Sequence, residues 1–147
     1  DLQGRKTAYT YEEYAKFRKT GGFSLSEREA EFFWEIHTQL QQSSKNLGVG
    51  PRVVRQIDLY IQNLPPNPYI SRAQALDLQV VQRVLTKLRG PEGLLGDLVG
   101  RLEPNGELSG SALLEIFDRY PDISAFEESR KVLIQKAKEL RINGYTI

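Results

Sequence analysis

The residues best placed for chemistry in this chain are two arginines at the expected start of a helix. In Gly48-Val-Gly-Pro-Arg-Val-Val-Arg-Gln-Ile57, Arg52 and Arg55 follow directly on a Gly50–Pro51 pair. Glycine is an accepted N-cap, and proline suits the first helical position, where its missing amide hydrogen costs nothing. The sequence therefore predicts a helix opening at Gly50. Such an opening presents unpaired amides and the positive end of the helix dipole. An arginine there adds a planar fork that fits phosphate oxygens. Arg52 is the first candidate for a phosphate contact, and Arg55, one turn deeper, is the second. Each has a plainer reading: a solvated surface arginine for Arg52, and an i,i+3 pair with Asp58 for Arg55.

Other chemistry is sparse. His37 is the only histidine and cysteine is absent, which excludes a two-histidine zinc site, thiolate nucleophiles, disulfides and cysteine-ligated metals. A Ser-His-Asp triad would have to use His37, yet it falls between Ile36 and Leu40 on an apolar stripe, where a buried, hydrogen-bonded imidazole is the expected role. Glu27, Glu29, Glu31, Glu127 and Glu128 fall in first helical turns, which the dipole explains without paired-carboxylate catalysis. No G-x-x-x-x-G-K-[ST] loop occurs, so the chain is not a complete nucleoside triphosphatase. Gly93, Gly96 and Gly100 lack the Lys-Ser or Lys-Thr of such a loop and read as flexible joints between helices. Between Arg5 and Lys19, basic residues alternate with Tyr9, Tyr11, Tyr14 and Phe17. That pattern suits either stacking on a nucleic-acid strand or a solvated helix with packed tyrosines.

The elements that must hold these residues are helical. With 147 residues, 39% hydrophobic and 27% charged, the chain has the composition of one soluble globular domain. The net charge of +1 supplies no general attraction to nucleic acid or lipid. No apolar run approaches the ~20 residues of a membrane span, and no signal peptide is visible, so no membrane partner and a cytoplasmic location are expected. The chain lacks methionine even at its first position, which points to a piece of a larger protein. Residues 1–22 read as a connector with a short helix behind Thr10-Tyr-Glu-Glu13, and residues 23–147 as a helical domain.

Within that domain, Ser26 with Glu29 forms a capping box before Ala30, Phe33, Ile36 and Leu40. The Gly50 helix carries Val53, Ile57, Ile61 and Leu64 and stops before Pro65. Ser71 opens a helix with Ala75, Leu78, Val81, Val84 or Leu85, and Leu88, ended by Gly90-Pro91. A short helix over Leu94 to Leu102, a turn at Pro104-Asn-Gly106, a helix from Ser109 or Ser111 to Pro121, and a last helix opened by Ser124 with Glu127 and closed by Gly144 complete the chain. Six or seven helices and no alternating run predict an all-α, single-domain fold.

A family resemblance adds to this reading. Gly48 to Ile57 resembles the sensor 2 helix of AAA+ nucleotidases, whose arginine opens a helix of the C-terminal lid; Arg52 is the matching residue. Ala75-Leu-Asp-Leu-Gln-Val-Val-Gln-Arg-Val-Leu-Thr-Lys-Leu-Arg-Gly90 resembles the following helix of McrB-like restriction NTPases, with Thr86 where that subfamily usually carries proline. The tail with Ser129, Leu133, Leu140 and Gly144-Tyr-Thr is similar to the closing helix of those lids. The resemblance implies an AAA+ lid-like fold that closes over ATP or GTP with Mg2+ held by a separate N-terminal base domain. It also implies partners in that base domain and in neighbouring subunits of an oligomer, with indirect DNA association through restriction. The fragment alone is expected to hold no cofactor and to hydrolyse nothing. The alternative from the residues is a free-standing helical module that binds protein or nucleic acid.

Overall fold

The computed structural model describes residues 23–66 and 69–147, together with Glu12. The connector and short helix expected within residues 1–22, and with them the basic aromatic segment, otherwise lie outside the described residues. The domain is mostly helical. Its six α-helices are α1 (Glu27–Ser43), α2 (Pro51–Gln62), α3 (Arg72–Arg83), α4 (Glu92–Val99), α5 (Ala112–Arg119) and α6 (Glu127–Asn143), with a 3-10 turn at Leu85–Lys87. Two antiparallel ribbons, each of two-residue strands, join them. Strand β1 (Gly90–Pro91) pairs with β4 (Tyr145–Thr146), and β2 (Arg101–Leu102) pairs with β3 (Leu108–Ser109). Two-residue strands carry no period that sequence could reveal, which is why none was expected.

Several helix ends follow the local chemistry. Ser26 and Glu29 make the reciprocal capping box at α1, and Ser71 with Gln74 makes another at α3. Gly50 caps α2 with Pro51 at its first position, and Ser111 caps α5. Gly144 ends α6 in the left-handed conformation at φ 78°, where its N–H donates to Leu140 O.

Packing places α3 against α6, α1 against α4 and α5, α4 against α6, and α2 against α3. At the centre, the Phe126 ring stacks on both Phe32 and Phe117, with centroids 4.8 Å away in each case, and Tyr120 meets Phe32 edge-on. Each aromatic pair adds about 0.5–1.5 kcal/mol beyond the area it buries. That packing holds Phe126 at φ 51°, a left-handed backbone costing a bulky residue roughly 1–2 kcal/mol.

Phe126 is also where the structure corrects the sequence. Ser124 is not the cap of α6: its hydroxyl accepts from Phe126 N–H and donates to Ala73 O. The N-cap is Phe126, whose side chain offers no hydrogen-bond acceptor, and the capping acceptor comes from α3. Asp77, 4% exposed, accepts the Glu128 N–H at 2.8 Å, the Ser129 N–H at 2.9 Å and the Ser129 hydroxyl at 2.5 Å. A buried carboxylate with three donors at a positive helix end replaces its lost hydration well.

The same contact explains a rotation of α3. The expected stripe through Leu78 and Val81 is only half-buried, whereas Ala75, Leu76, Asp77, Gln79 and Val80 face inward. Aiming Asp77 at α6 turns that face into the core. The α-helix also gives way at Val84 to the 3-10 turn, so Leu85 and Leu88 are buried on a tighter path than a continuous helix would give them.

Asp77→Ala should leave the Glu128 and Ser129 amides without their acceptor and the Ser129 hydroxyl with only its 3.3 Å contact to the carbonyl of residue 77. A loss of roughly 2–4 kcal/mol is expected, read as a lower urea midpoint at unchanged slope. A loss under about 0.5 kcal/mol, the size of an inert surface change, would mean that the α6 amides are satisfied elsewhere.

Candidate functional site

The first candidate site is the opening of α2. It forms as the residues dictate: Gly50 is extended at φ −70°, ψ 174°, its carbonyl accepts from Val53 and Val54, and Pro51 is buried. Arg52 and Arg55 are both exposed. Neither has a hydrogen bond or ion pair among the described residues. The pair of Arg55 with Asp58 is not formed. Asp58, 1% exposed, instead accepts the Ser24 N–H at 2.7 Å, the Leu25 N–H at 2.9 Å, the Ser24 hydroxyl and the Gln62 amide.

Electrostatically, this end of α2 differs from the other described helix starts. It has no side-chain cap and no acidic residue in its first turn, whereas α1, α3 and α5 have side-chain caps and α4 and α6 begin with glutamates. Arg52 therefore adds positive charge to an end that is already positive. A bound anion would relieve both. The apolar stripe beneath is centred on Val54, Ile57 and Ile61; Val53 and Leu64 are half-buried at its edges, and Tyr60 is 37% exposed.

Two side chains of α1, one turn apart, hold the loop that leads into this corner. Gln41 donates its amide to the carbonyls of Lys45 and Leu47. His37, 4% exposed, accepts the Val49 N–H at Nδ1 over 2.9 Å. A β-carbon at Gly48 would stand 2.8 Å from that same Nδ1, so the loop runs closer to the imidazole than any other residue would allow. With Nδ1 accepting, the neutral ring carries its proton on Nε2. Burial pushes the imidazole below its ordinary value of 6.5. His37 is thus the buried, satisfied histidine that its sequence position suggests.

At the start of α1, a polar knot ties α1 to α3. Glu29, 6% exposed, receives the Ser26 N–H and a two-pronged contact from Arg72 at 2.8 and 3.0 Å, and Arg72 also donates to Ser24 O. Burial raises the Glu29 carboxyl, but the Arg72 and Ser26 bonds outweigh it and hold the group below the usual carboxylate range. Across α1, Glu35 bonds Arg119 at 2.6 Å and the Tyr120 hydroxyl, while the Arg28 guanidinium lies 4.1 Å over the Tyr120 ring. Burial and the Glu35 bond push the Tyr120 phenol up. These carboxylates all have structural partners, and no group of three or more metal-ligating residues occurs among the described residues.

A second concavity went unread in the sequence. A groove of about 800 Å³ runs along α4 past Gly93, Gly96 and Gly100, bounded by Arg101 and Arg141. Gly93 and Gly96 are not joints between helices: both lie inside α4, and a β-carbon on Gly93 would meet nothing within 4 Å. Gly100 ends the helix at φ 87°, where a β-carbon would come within 2.7 Å of Ser109 O. That close approach lets β2 and β3 pair directly after α4.

The fold and these features define a small, mostly helical domain with an exposed cationic helix opening. The chain belongs to the family described as "Domain of unknown function (DUF8727)", whose profile matches residues 4–145. No curated protein and no solved structure matches it.

Two outcomes follow. Arg52→Ala and Arg55→Ala should each leave stability within about 0.5 kcal/mol of the parent chain, because neither touches the described core; a larger loss in thermal or urea melts would assign them a structural role. His37 resists protonation only when folded. Stability should be complete above about pH 6.5 and fall as the pH drops below that value. His37→Asn should flatten the dependence in urea titrations between pH 7.5 and 5.5, and an unchanged slope would show that another group controls it.

Proposed function

We propose that this domain is the helical lid of an AAA+ nucleoside triphosphatase of the McrB-like type. In this reading, Arg52 is presented to the γ-phosphate of ATP or GTP, with Mg2+, on an adjoining base domain. The observation that carries the reading is the α2 opening itself. The residues of the resembling motif sit on a buried Pro51 and put Arg52, unpaired among the described residues, at the one described helix start with neither side-chain cap nor first-turn acid. A guanidinium held there would stabilise the charge that develops on the transferred phosphoryl group and couple nucleotide state to lid position. Arg55, on the same exposed side one turn on, would add a phosphate or interfacial contact. Hydrolysis belongs to the intact protein, whose base domain and neighbouring subunits complete the site; a cytoplasmic restriction assembly acting on DNA fits the subfamily.

The groove along α4 favours a second reading, a helical module that binds a partner without nucleotide. Its position separates the two: the groove is lined by α4, the β2–β3 ribbon and α6, and includes no residue of α2.

In the intact protein, Arg52→Ala should lower nucleotide turnover by roughly 10- to 1,000-fold, the range seen when one preorganised donor to a transition-state charge is removed, with the helical circular-dichroism spectrum unchanged. Unaltered turnover would remove Arg52 from the site and leave the binding-module reading in its place.

A further inference from the structure

We propose that His37 is the positioning residue of the Arg52 corner: its Nδ1 holds the Val49 amide and so fixes where α2 begins. The inference rests on the lid reading for its functional consequence, and on geometry alone for the positioning.

The geometric chain is short. His37 lies on α1, 4% exposed, and Nδ1 is the acceptor for the Val49 N–H at 2.9 Å. Val49 is fully buried and is followed by Gly50, whose carbonyl receives the first two amides of α2, and by buried Pro51. Arg52 is therefore three residues from a backbone amide held by an imidazole lone pair. The Gly48 backbone is close enough to the ring that the loop cannot move toward α1 to compensate. Gln41 fixes only the earlier part of the loop, at Lys45 and Leu47. Between Leu47 and the helix, His37 supplies a side-chain hold.

An acceptor lone pair makes this hold dependent on protonation state. In the imidazolium form both ring nitrogens are donors, so Nδ1–H would oppose the Val49 N–H and the contact would change from attractive to repulsive. Among the described residues, Trp34 from α1 lies 5.8 Å from the ring between centroids, and Gly48 and Val49 approach it from the loop, all uncharged. No carboxylate or cation among the described residues contributes to the shift of the imidazole; burial alone opposes its charging.

The test compares two replacements. His37→Asn puts a carbonyl oxygen near the place of Nδ1 and can still accept the Val49 N–H. His37→Phe keeps a ring and removes the acceptor. In the 15N-labelled chain at pH 7.5, the backbone amides of Val49, Arg52 and Val53 should shift in His37→Phe and return toward the wild-type positions in His37→Asn. Wild-type amide exchange at Val53 and Val54 should also rise as the pH falls below about 6.5 relative to the base-catalysed trend, with no such rise in His37→Asn. Equal spectra at Arg52 and Val53 in both variants, with the fold retained, would overturn the proposal. If His37→Phe does not fold, the wild-type and His37→Asn exchange profiles decide alone, and identical profiles overturn it.

The nucleotide arm uses the intact protein. His37→Phe should lower kcat about 5- to 20-fold with little change in KM, and His37→Asn should restore kcat to within about 2-fold. On an Arg52→Ala background, His37→Phe should add no further loss. A further loss there would show that His37 acts by another route. If Arg52→Ala alone changes nothing, the lid reading fails, and the amide shifts still decide whether His37 positions the corner.

Discussion

The capping of α6 by the buried carboxylate of Asp77 is the contact on which the rest of the arrangement depends. A 17-residue helix that begins at a left-handed phenylalanine has no local acceptor for its first amides. Leaving them bare in the interior would cost several kcal/mol. Asp77 meets that need from α3, and in doing so it fixes three things together: the face α3 turns to the core, the height of α6 along α3, and the place where the Phe126 ring enters between Phe32 and Phe117. Polar satisfaction and aromatic packing are here one constraint. Neither could be kept if α6 slid by a turn.

From that anchor the order of the domain can be followed outward. Further along α6, Lys136, 6% exposed, reaches the Leu88 carbonyl at 2.9 Å, at the end of the 3-10 turn. Burial lowers its ammonium's pKa, yet the bond closes a carbonyl that no helix hydrogen bond claims. Two residues on, Gly90 begins the ribbon that pairs with β4, and Glu92 N–H donates to Gly144 O, so the middle and the C-terminal end of α6 are both tied to the stretch that follows α3. On the other side of the domain, Asp58 does for residues 24 and 25 what Asp77 does for α6. Two buried aspartates, each in a helix interior, thus serve chain segments that approach from elsewhere.

This division explains what the residues disclose before folding is known. Contacts closed within four residues are legible. The Ser26–Glu29 box, the Gly50–Pro51 start and the Gly144 stop all stand where local chemistry puts them. Contacts closed over fifty residues are not. Asp58 reads as the i,i+3 partner of Arg55, and Asp77 carries no local sign of its contact, although aspartate is a poor helix former. Ser124 with Glu127 has the spacing of a capping box and fails because Ser124 is drawn to Ala73 O. Glycines mislead for a related reason. Gly93 and Gly96 in α4 line a groove, a property of what lies across from them and not of the chain around them. The site was legible to the same degree: the exposure of Arg52 follows from its place in the motif, whereas the hold on Val49 by His37 needed the fold.

The way α2 is fastened bears on how such a domain could move. At one end its lead-in is pinned to α1 through His37 and Gln41. Near the other, Asp58 grips the residues that precede α1. Both grips are on the same helix hairpin, one turn or two apart from the apolar contacts of Val54, Ile57 and Ile61. Rotating α2 alone would break buried polar bonds at both ends and open the core between them, at a cost comparable with the 5–15 kcal/mol that stabilises a whole domain. In the proposed lid, Arg52 would move toward and away from phosphate with the bundle as one rigid body, and the angle that changes would lie at the junction with the part that holds the nucleotide.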